Sequence, residues 1–261
     1  MKIVVLTAVP NEFEVLRKLL SEKQVGETLE DIDGAYFYEH ISVLIDGVEC
    51  TIILGITGQG NVEASIYVMD ALNRYKPDLF IFAGTCGGVK DVKVGDTVIV
   101  TNVFDIFRGK ESNKWRAKPS GAGMNSALQG ICTSIMMQVN RGEKLKNLYV
   151  DVNSHVFMGD IGSSSAIVAA EKSKIRDMLY RNYSNVVAVE MEGYGFYKTL
   201  EKNNYNAGIL VRAVTDDSIN KEDDSDREIQ PEVMKKVYFL VYELIRKYIS
   251  NNKKKQVKDQ N

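Results

Sequence analysis

Glu190 and Glu192 stand two residues apart, directly after the run Val186-Val187-Ala188-Val189. Small and β-branched residues in that run suit a strand buried on both faces. On an extended chain the two acids share one face and Met191 takes the other. Paired carboxylates at the end of a core strand cost desolvation and mutual repulsion unless something uses them. A ribose diol would use them, because its two hydroxyls need paired acceptors. Solvated acids at a strand end, or charges at the start of the next helix, fit the same local pattern. A second acidic group, Thr215-Asp216-Asp217, follows the apolar run Ala207 to Val214. Ligand sites in α/β sheets gather at such strand ends. Glu12 follows the first apolar run, Ile3 to Leu6, and either complements a helix dipole or faces the same region.

Two glycine-rich stretches accompany these acids. Gly84-Thr85-Cys86-Gly87-Gly88 comes after Asp78 to Ala83, read as a buried strand; it allows a ligand or another backbone to approach closely, or forms a plain turn. Gly58-Gln59-Gly60-Asn61 opens a helix through Val62 and Leu72, where a helix N-terminus can hold an anion.

The positioning elements alternate along the chain. Ile3 to Leu6 reads as a strand, followed by an amphipathic helix carrying Phe13, Leu16, Leu19 and Leu20, with Asn11 as N-cap. Tyr36 to Ile45 and Cys50 to Ile56 form a hairpin around Asp46-Gly47. Thr97 to Val103 is a strand, Leu128 to Val139 a helix, and Leu148 to Met158 a strand that includes a packed His155. Gly159 to Ser165 reads as a polar bend, Ala170 to Tyr180 and Tyr194 to Lys202 as helices, and 217 to 228 as an acidic loop. Glu232 to Ile249 closes the chain as an amphipathic helix. Strands alternating with helices, without a repeat or linker, indicate one α/β domain with a mixed central sheet.

Composition narrows the function classes. A formal net charge of -2 offers no global field for nucleic acid or an anionic membrane. No apolar stretch is long enough to span a bilayer. Cys50, Cys86 and Cys132 lack CxxC spacing, and His40 and His155 are the only histidines, so neither a disulfide frame nor a metal site is expected. The expected location is cytoplasmic. Lys253, Lys254, Lys255 and Lys258 read as a basic, frayed tail over 251–261.

Five segments in combination resemble the nucleoside phosphorylase superfamily, most closely its 5'-methylthioadenosine/S-adenosylhomocysteine nucleosidase branch. They are Met1-Lys2-Ile3 through Asn11-Glu12, Gly84 to Gly88, Gly159 through Val168, Val189-Glu190-Met191-Glu192-Gly193, and Val211-Arg212-Ala213-Val214-Thr215-Asp216. The resemblance covers most of residues 1–250. It implies a three-layer α/β/α domain around a mixed sheet, and a nucleosidase that needs no cofactor and assembles as a homodimer or larger homo-oligomer. Its partner is a small purine nucleoside or nucleotide.

By the same resemblance, Asp216 is the acid that protonates N7 of the departing purine, and Glu12 positions the attacking water. Met191 and Glu192 bind ribose, with Glu190 ordering water and sugar hydroxyls. Thr85 stands near the nucleophile, Cys86 and Gly87 bind substrate beside it, and Ile167 and Val168 border the base. Phosphorylases of the superfamily carry an arginine-bearing phosphate loop early in the chain. Here that stretch is Ala8-Val9-Pro10-Asn11-Glu12, whose negative charge repels phosphate and favours water. Three alternatives stay open: phosphorolysis, cleavage of a 5'-phosphorylated nucleotide, and a silent nucleoside-binding sensor. The segment 106–146 is longer and more basic than the compact nucleosidases have. It carries Arg108, Lys110, Lys114, Arg116 and Lys118 around Trp115, and reads either as a solvated loop or as a contact for a phosphorylated 5' group.

Overall fold

In the computed structural model, residues 1–111, 116–142, 155–166, 174–218 and 225–259 are described. The elements run β1 (Lys2–Thr7), α1 (Pro10–Ser21), β2 (Leu29–Asp33), β3 (Tyr36–Ile45), β4 (Val48–Ile56), α2 (Asn61–Tyr75), β5 (Leu79–Gly88), β6 (Thr97–Asp105), β7 (Gly109–Lys110), β8 (Arg116–Ala117), β9 (Gly121–Gly123), α3 (Ser126–Asn140), β10 (Val156–Ser163), α4 (Lys174–Asn182), β11 (Val186–Glu190), α5 (Gly193–Lys202), β12 (Gly208–Asp216) and α6 (Ser225–Asp259).

The central sheet has the order β11-β10-β6-β12-β5-β1-β4-β3-β2. Parallel pairs such as β1–β4, β1–β5 and β12–β5 mix with antiparallel ones such as β12–β6 and β3–β4. β11 also pairs antiparallel with the far end of β5, Ala188 opposite Gly88 and Val189 opposite Gly87. That extra pairing closes β11, β10, β6, β12 and β5 into a ring. Helices α1 and α3 each pack against α6, and α2 packs with α5. The main core gathers the apolar strand residues, including Val4, Ile53, Phe80, Ile99 and Leu210, and α6 contributes Val237, Leu240 and Leu244. No helix among the described residues is long and apolar enough to cross a membrane.

Several elements match the sequence pattern. The β3–β4 hairpin turns at Asp46 and Gly47, both at positive φ, as a two-residue primed turn requires. Others differ for identifiable reasons. Helix α1 begins at Pro10, with Val9 as N-cap and no side-chain cap. Proline is preorganised for the first helical position, which moves the start ahead of Asn11. β5 does not stop at Ala83 but continues through the glycines to Gly88, because both β12 and β11 hydrogen-bond to that stretch. Gly159 to Ser163 is likewise strand rather than bend. A Cβ on Gly162 would lie 2.9 Å from both Ile106 and Leu179 side chains, so glycine there permits close packing.

His155 precedes β10 and is half exposed rather than packed. The strand expected to begin at Leu148 starts at Val156 within the described residues. The described part of α4 begins at Lys174 and runs to Asn182. β2 lacks a clear alternating pattern; it lies at the sheet edge with Leu29 and Ile32 exposed. The acidic segment is helical from Ser225, and α6 runs past 250 to Asp259. Lysines near a helix C-terminus favour its dipole, so the basic run extends the helix instead of ending it.

Candidate active site

Glu12, Arg212 and Asp216 meet the C-terminal residues of β5, from Gly84 to Gly87. Glu12, in the first turn of α1, is buried. Its Oε1 accepts from the Thr85 amide at 2.8 Å and the Thr85 hydroxyl at 2.9 Å, and its Oε2 accepts from the Ala8 amide at 3.1 Å. Burial raises its pKa, while Arg212 and the Thr85 hydroxyl oppose the rise. Thr85 therefore ties β5 to α1 through this carboxylate.

Arg212 is the largest fully buried side chain among the described residues and sits in the middle of β12. Its Nη2 donates to Glu190 Oε2 at 2.7 Å and to Glu192 Oε2 at 3.3 Å, and its guanidinium lies 4.8 Å from the Phe82 ring centroid. Glu190 Oε2 also accepts the Glu192 and Gly193 amides, at 2.9 and 2.7 Å. Two amides and a guanidinium thus compensate the desolvation of Glu190. A Cβ on Gly84 would fall 2.5 Å from Arg212 Nη1 and 3.0 Å from Glu12 Oε1, so only glycine lets both side chains reach this point.

Glu192 takes a different place from the one its spacing suggests. β11 ends at Glu190, and Glu192 is the N-cap of α5 with φ -123° and ψ -26°. Both acids still meet Arg212, but through the bend that follows the strand rather than through a two-residue period. The anion held by the Gly58-Gln59-Gly60-Asn61 turn is this carboxylate, since the Gly60 amide donates to Glu192 Oε1 at 2.9 Å. Burial and the neighbouring Glu190 raise the Glu192 pKa to about 7, against the lowering effect of Arg212. Met191 is half buried beside it.

Asp216 ends β12 opposite Gly87. Its Oδ2 accepts from the Thr215 hydroxyl at 2.9 Å and its Oδ1 from the Ser218 amide at 2.8 Å. A Cβ on Gly87 would lie 2.9 Å from Asp216 Oδ1, so this glycine makes room for the acid. Cys86 is buried and its thiol pKa is pushed up, mainly by desolvation, which argues against a nucleophilic thiolate. Ile167 and Val168 lie outside the described residues.

Two residues organise the site without a role that the sequence assigns them. Arg212 belongs to one of the segments that carry the resemblance, and by residue type it shows itself as a charge inside the apolar run Ile209-Leu210-Val211-Arg212-Ala213-Val214. Asn61 accepts from the Ser163 hydroxyl at 2.9 Å and from the Gly195 amide at 2.8 Å, locking α2, β10 and α5 together. Its linking role depends on three elements far apart in sequence.

A mixed sheet curled into a partial ring, with carboxylates gathered at strand ends around one buried arginine, defines a nucleoside phosphorylase-like α/β protein. Residues 2–249 match the Phosphorylase superfamily, and the chain belongs to that family. It is 28% identical over 251 residues to the 5'-methylthioadenosine/S-adenosylhomocysteine nucleosidase of Haemophilus influenzae (strain PittEE), covering 94% of this chain and 99% of that protein. It is 25% identical over 247 residues to the ATP nucleosidase Cap17 of Escherichia coli (strain KTE188). That match covers 87% of this chain and 48% of the relative, so the chain spans about half of Cap17's length. Among solved structures, the 5'-methylthioadenosine/S-adenosylhomocysteine nucleosidase of Neisseria meningitidis in complex with methylthio-immucillin-A superposes with a TM-score of 0.74 at 21% identity, covering 94% of this chain and 99% of the other. The futalosine hydrolase of Helicobacter pylori gives 0.76 at 14%, covering 95% and 98%.

Proposed function

We propose that this protein hydrolyses the N-glycosidic bond of an adenine nucleoside, releasing free adenine and the sugar. The observation that carries the reading is the enclosed group Glu12, Arg212, Glu190 and Glu192, with Asp216 on the neighbouring strand end of β5's partner. Cleavage of this bond builds positive charge on the ribose and negative charge on the base. Asp216 delivers a proton to the purine N7 as the bond breaks, which neutralises the leaving group. Fixed carboxylates near the sugar stabilise the oxocarbenium-like transition state more than the neutral ground state.

Glu192 accepts the ribose hydroxyls, with Met191 against the sugar. Glu190 is a positioning residue, since its side chain is 1% exposed and bound to Arg212 and two amides. Glu12 orients the attacking water and takes its proton. The stretch Ala8-Val9-Pro10-Asn11-Glu12 carries this carboxylate and no lysine or arginine, and its negative charge repels phosphate, which supports hydrolysis over phosphorolysis. The nucleosidases among the relatives support the same chemistry.

The test is to incubate the protein with methylthioadenosine, adenosylhomocysteine, adenosine and inosine, with and without phosphate, and to detect free base. Phosphate-independent adenine release is the expected result. Release that requires phosphate would replace hydrolysis by phosphorolysis, and no release from any substrate would favour a binding module.

A further inference from the structure

β7 and β8 form a two-stranded ribbon separate from the main sheet. Lys110 stands directly opposite Arg116, and Gly109 opposite Ala117. The Lys118 amide donates to the Arg108 carbonyl at 2.9 Å, which sets Arg108 opposite Lys118. Strand alternation then puts Arg108, Lys110, Arg116 and Lys118 on one face, and all four are exposed. Gly109 and Ala117 take the other face, where Ala117 packs against the small cluster of Val89, Ile106, Leu179 and Tyr183.

Two like-charged pairs face each other across this ribbon. Like charges directly opposite are destabilising, and an isolated two-stranded ribbon has little stability to spare. Among the described residues, none of the four cations pairs with a carboxylate. Glu111 is the one described acid between Arg108 and Ser120. A polyanion shared by the four would turn the repulsion into binding.

The ribbon is also joined to the sugar side of the site. Arg108 Nη1 donates to Ser120 Oγ at 2.9 Å, and Ser120 Oγ lies 2.9 Å from the Tyr194 hydroxyl. Tyr194 is in the first turn of α5, two residues after Glu192.

From this arrangement we infer that the β7–β8 ribbon binds the 5'-phosphate chain of a purine nucleotide, so that the substrate class is a nucleoside phosphate rather than an uncharged nucleoside. The inference rests on the hydrolase reading for its reaction, and on the ribbon's charge pattern for its ligand. Arg108, Lys110, Arg116 and Lys118 would contact the phosphates while Glu192 holds the ribose. Guanidinium groups suit bidentate phosphate contacts, and the lysines add charge.

The experiment compares kcat/KM for adenine release from ATP, AMP, adenosine and methylthioadenosine, in the unaltered protein and in the double variant Lys110→Gln/Arg116→Gln. The double variant removes a repulsive pair, so it is expected to fold at least as well; a thermal melt checks this. The expected results are a preference for ATP over adenosine, and a drop of roughly thirtyfold in the ATP-to-adenosine ratio in the double variant, as loss of charge-assisted contacts entails. KM for ATP should rise with potassium chloride through screening. Equal cleavage of ATP and adenosine, or an unchanged ratio in the variant, would overturn the ribbon's role while leaving the hydrolase reading intact. If no substrate releases adenine, the hydrolase reading fails instead. ATP binding by calorimetry then decides the ribbon: weaker binding by the variant supports it, and equal binding overturns it.

Discussion

Arg212 Nη2 lies 2.7 Å from Glu190 Oε2, and each side chain is only 1% exposed. The pair joins the middle of β12 to the end of β11, and Glu192 completes the cluster from the N-cap of α5. Removing one partner of a buried pair leaves an uncompensated charge. Arg212→Ala should therefore cost about 3–5 kcal/mol of stability. Urea denaturation measures it, and a loss below about 1 kcal/mol would show that the pair does not hold the site together.

Glu192 links stability to pH. Its folded pKa of about 7 is raised above the ordinary 4.5, so the native state holds the proton more tightly than the unfolded chain does. This contribution is fully present below pH 4.5 and is lost as pH rises through about 7. Glu192→Gln, which cannot ionise, should lack that part of the decline. Melting temperatures of both proteins across this window provide the comparison, and parallel curves would contradict the assignment.

Asp216→Asn should lower kcat on the order of 10²–10⁴-fold while ligand binding persists, because an amide cannot deliver the proton to N7. Single-turnover adenine release together with calorimetric binding of the nucleoside separates the two effects. Near-normal turnover would remove Asp216 from the acid role.

Glu12 must be ionised to take a proton from water, and burial raises its pKa above 4.5. The acid limb of the kcat/KM profile should accordingly have a midpoint above 4.5. Glu12→Gln should abolish most turnover, and added phosphate should not restore it. Rescue by phosphate would mean that the neutral side chain admits an anionic nucleophile.

Gly84→Ala tests the crowding at β5. The added Cβ would sit 2.5 Å from Arg212 Nη1 and within 3.2 Å of both Glu12 oxygens. Overpacking of this kind costs about 1–3 kcal/mol, and displacement of Glu12 should reduce turnover as well. A variant with unaltered melting and activity would show that the cluster relaxes freely.

Glu190, Glu192 and Asp216 stood out in the chain because charged residues at the ends of apolar runs break a strong pattern, whereas Glu12 by position fitted a helix-dipole charge and joined the site only through the family resemblance. Arg212 broke the same pattern, yet its meaning depended on partners 20 and 22 residues away in sequence. The glycines of 84–88 were legible as places of close approach, but not as strand, since strand identity came from pairing with β12 and β11. The β7–β8 ribbon was legible only as a basic stretch; register alone placed like charges opposite each other.

The sequence by itself determined the alternation of strands and helices, the apolar core and which acids end core strands, because hydrophobic period and residue type are local properties. Tertiary structure decided what those acids face. Curling of the sheet pairs β11 with β5 and, with the bend after Glu190, gathers Glu190 and Glu192 around Arg212, while Thr85 ties Glu12 to the same strand. Burial then raises the Glu12 and Glu192 pKa values. Desolvation and ion pairing arise only when distant segments meet, so no local pattern contains them.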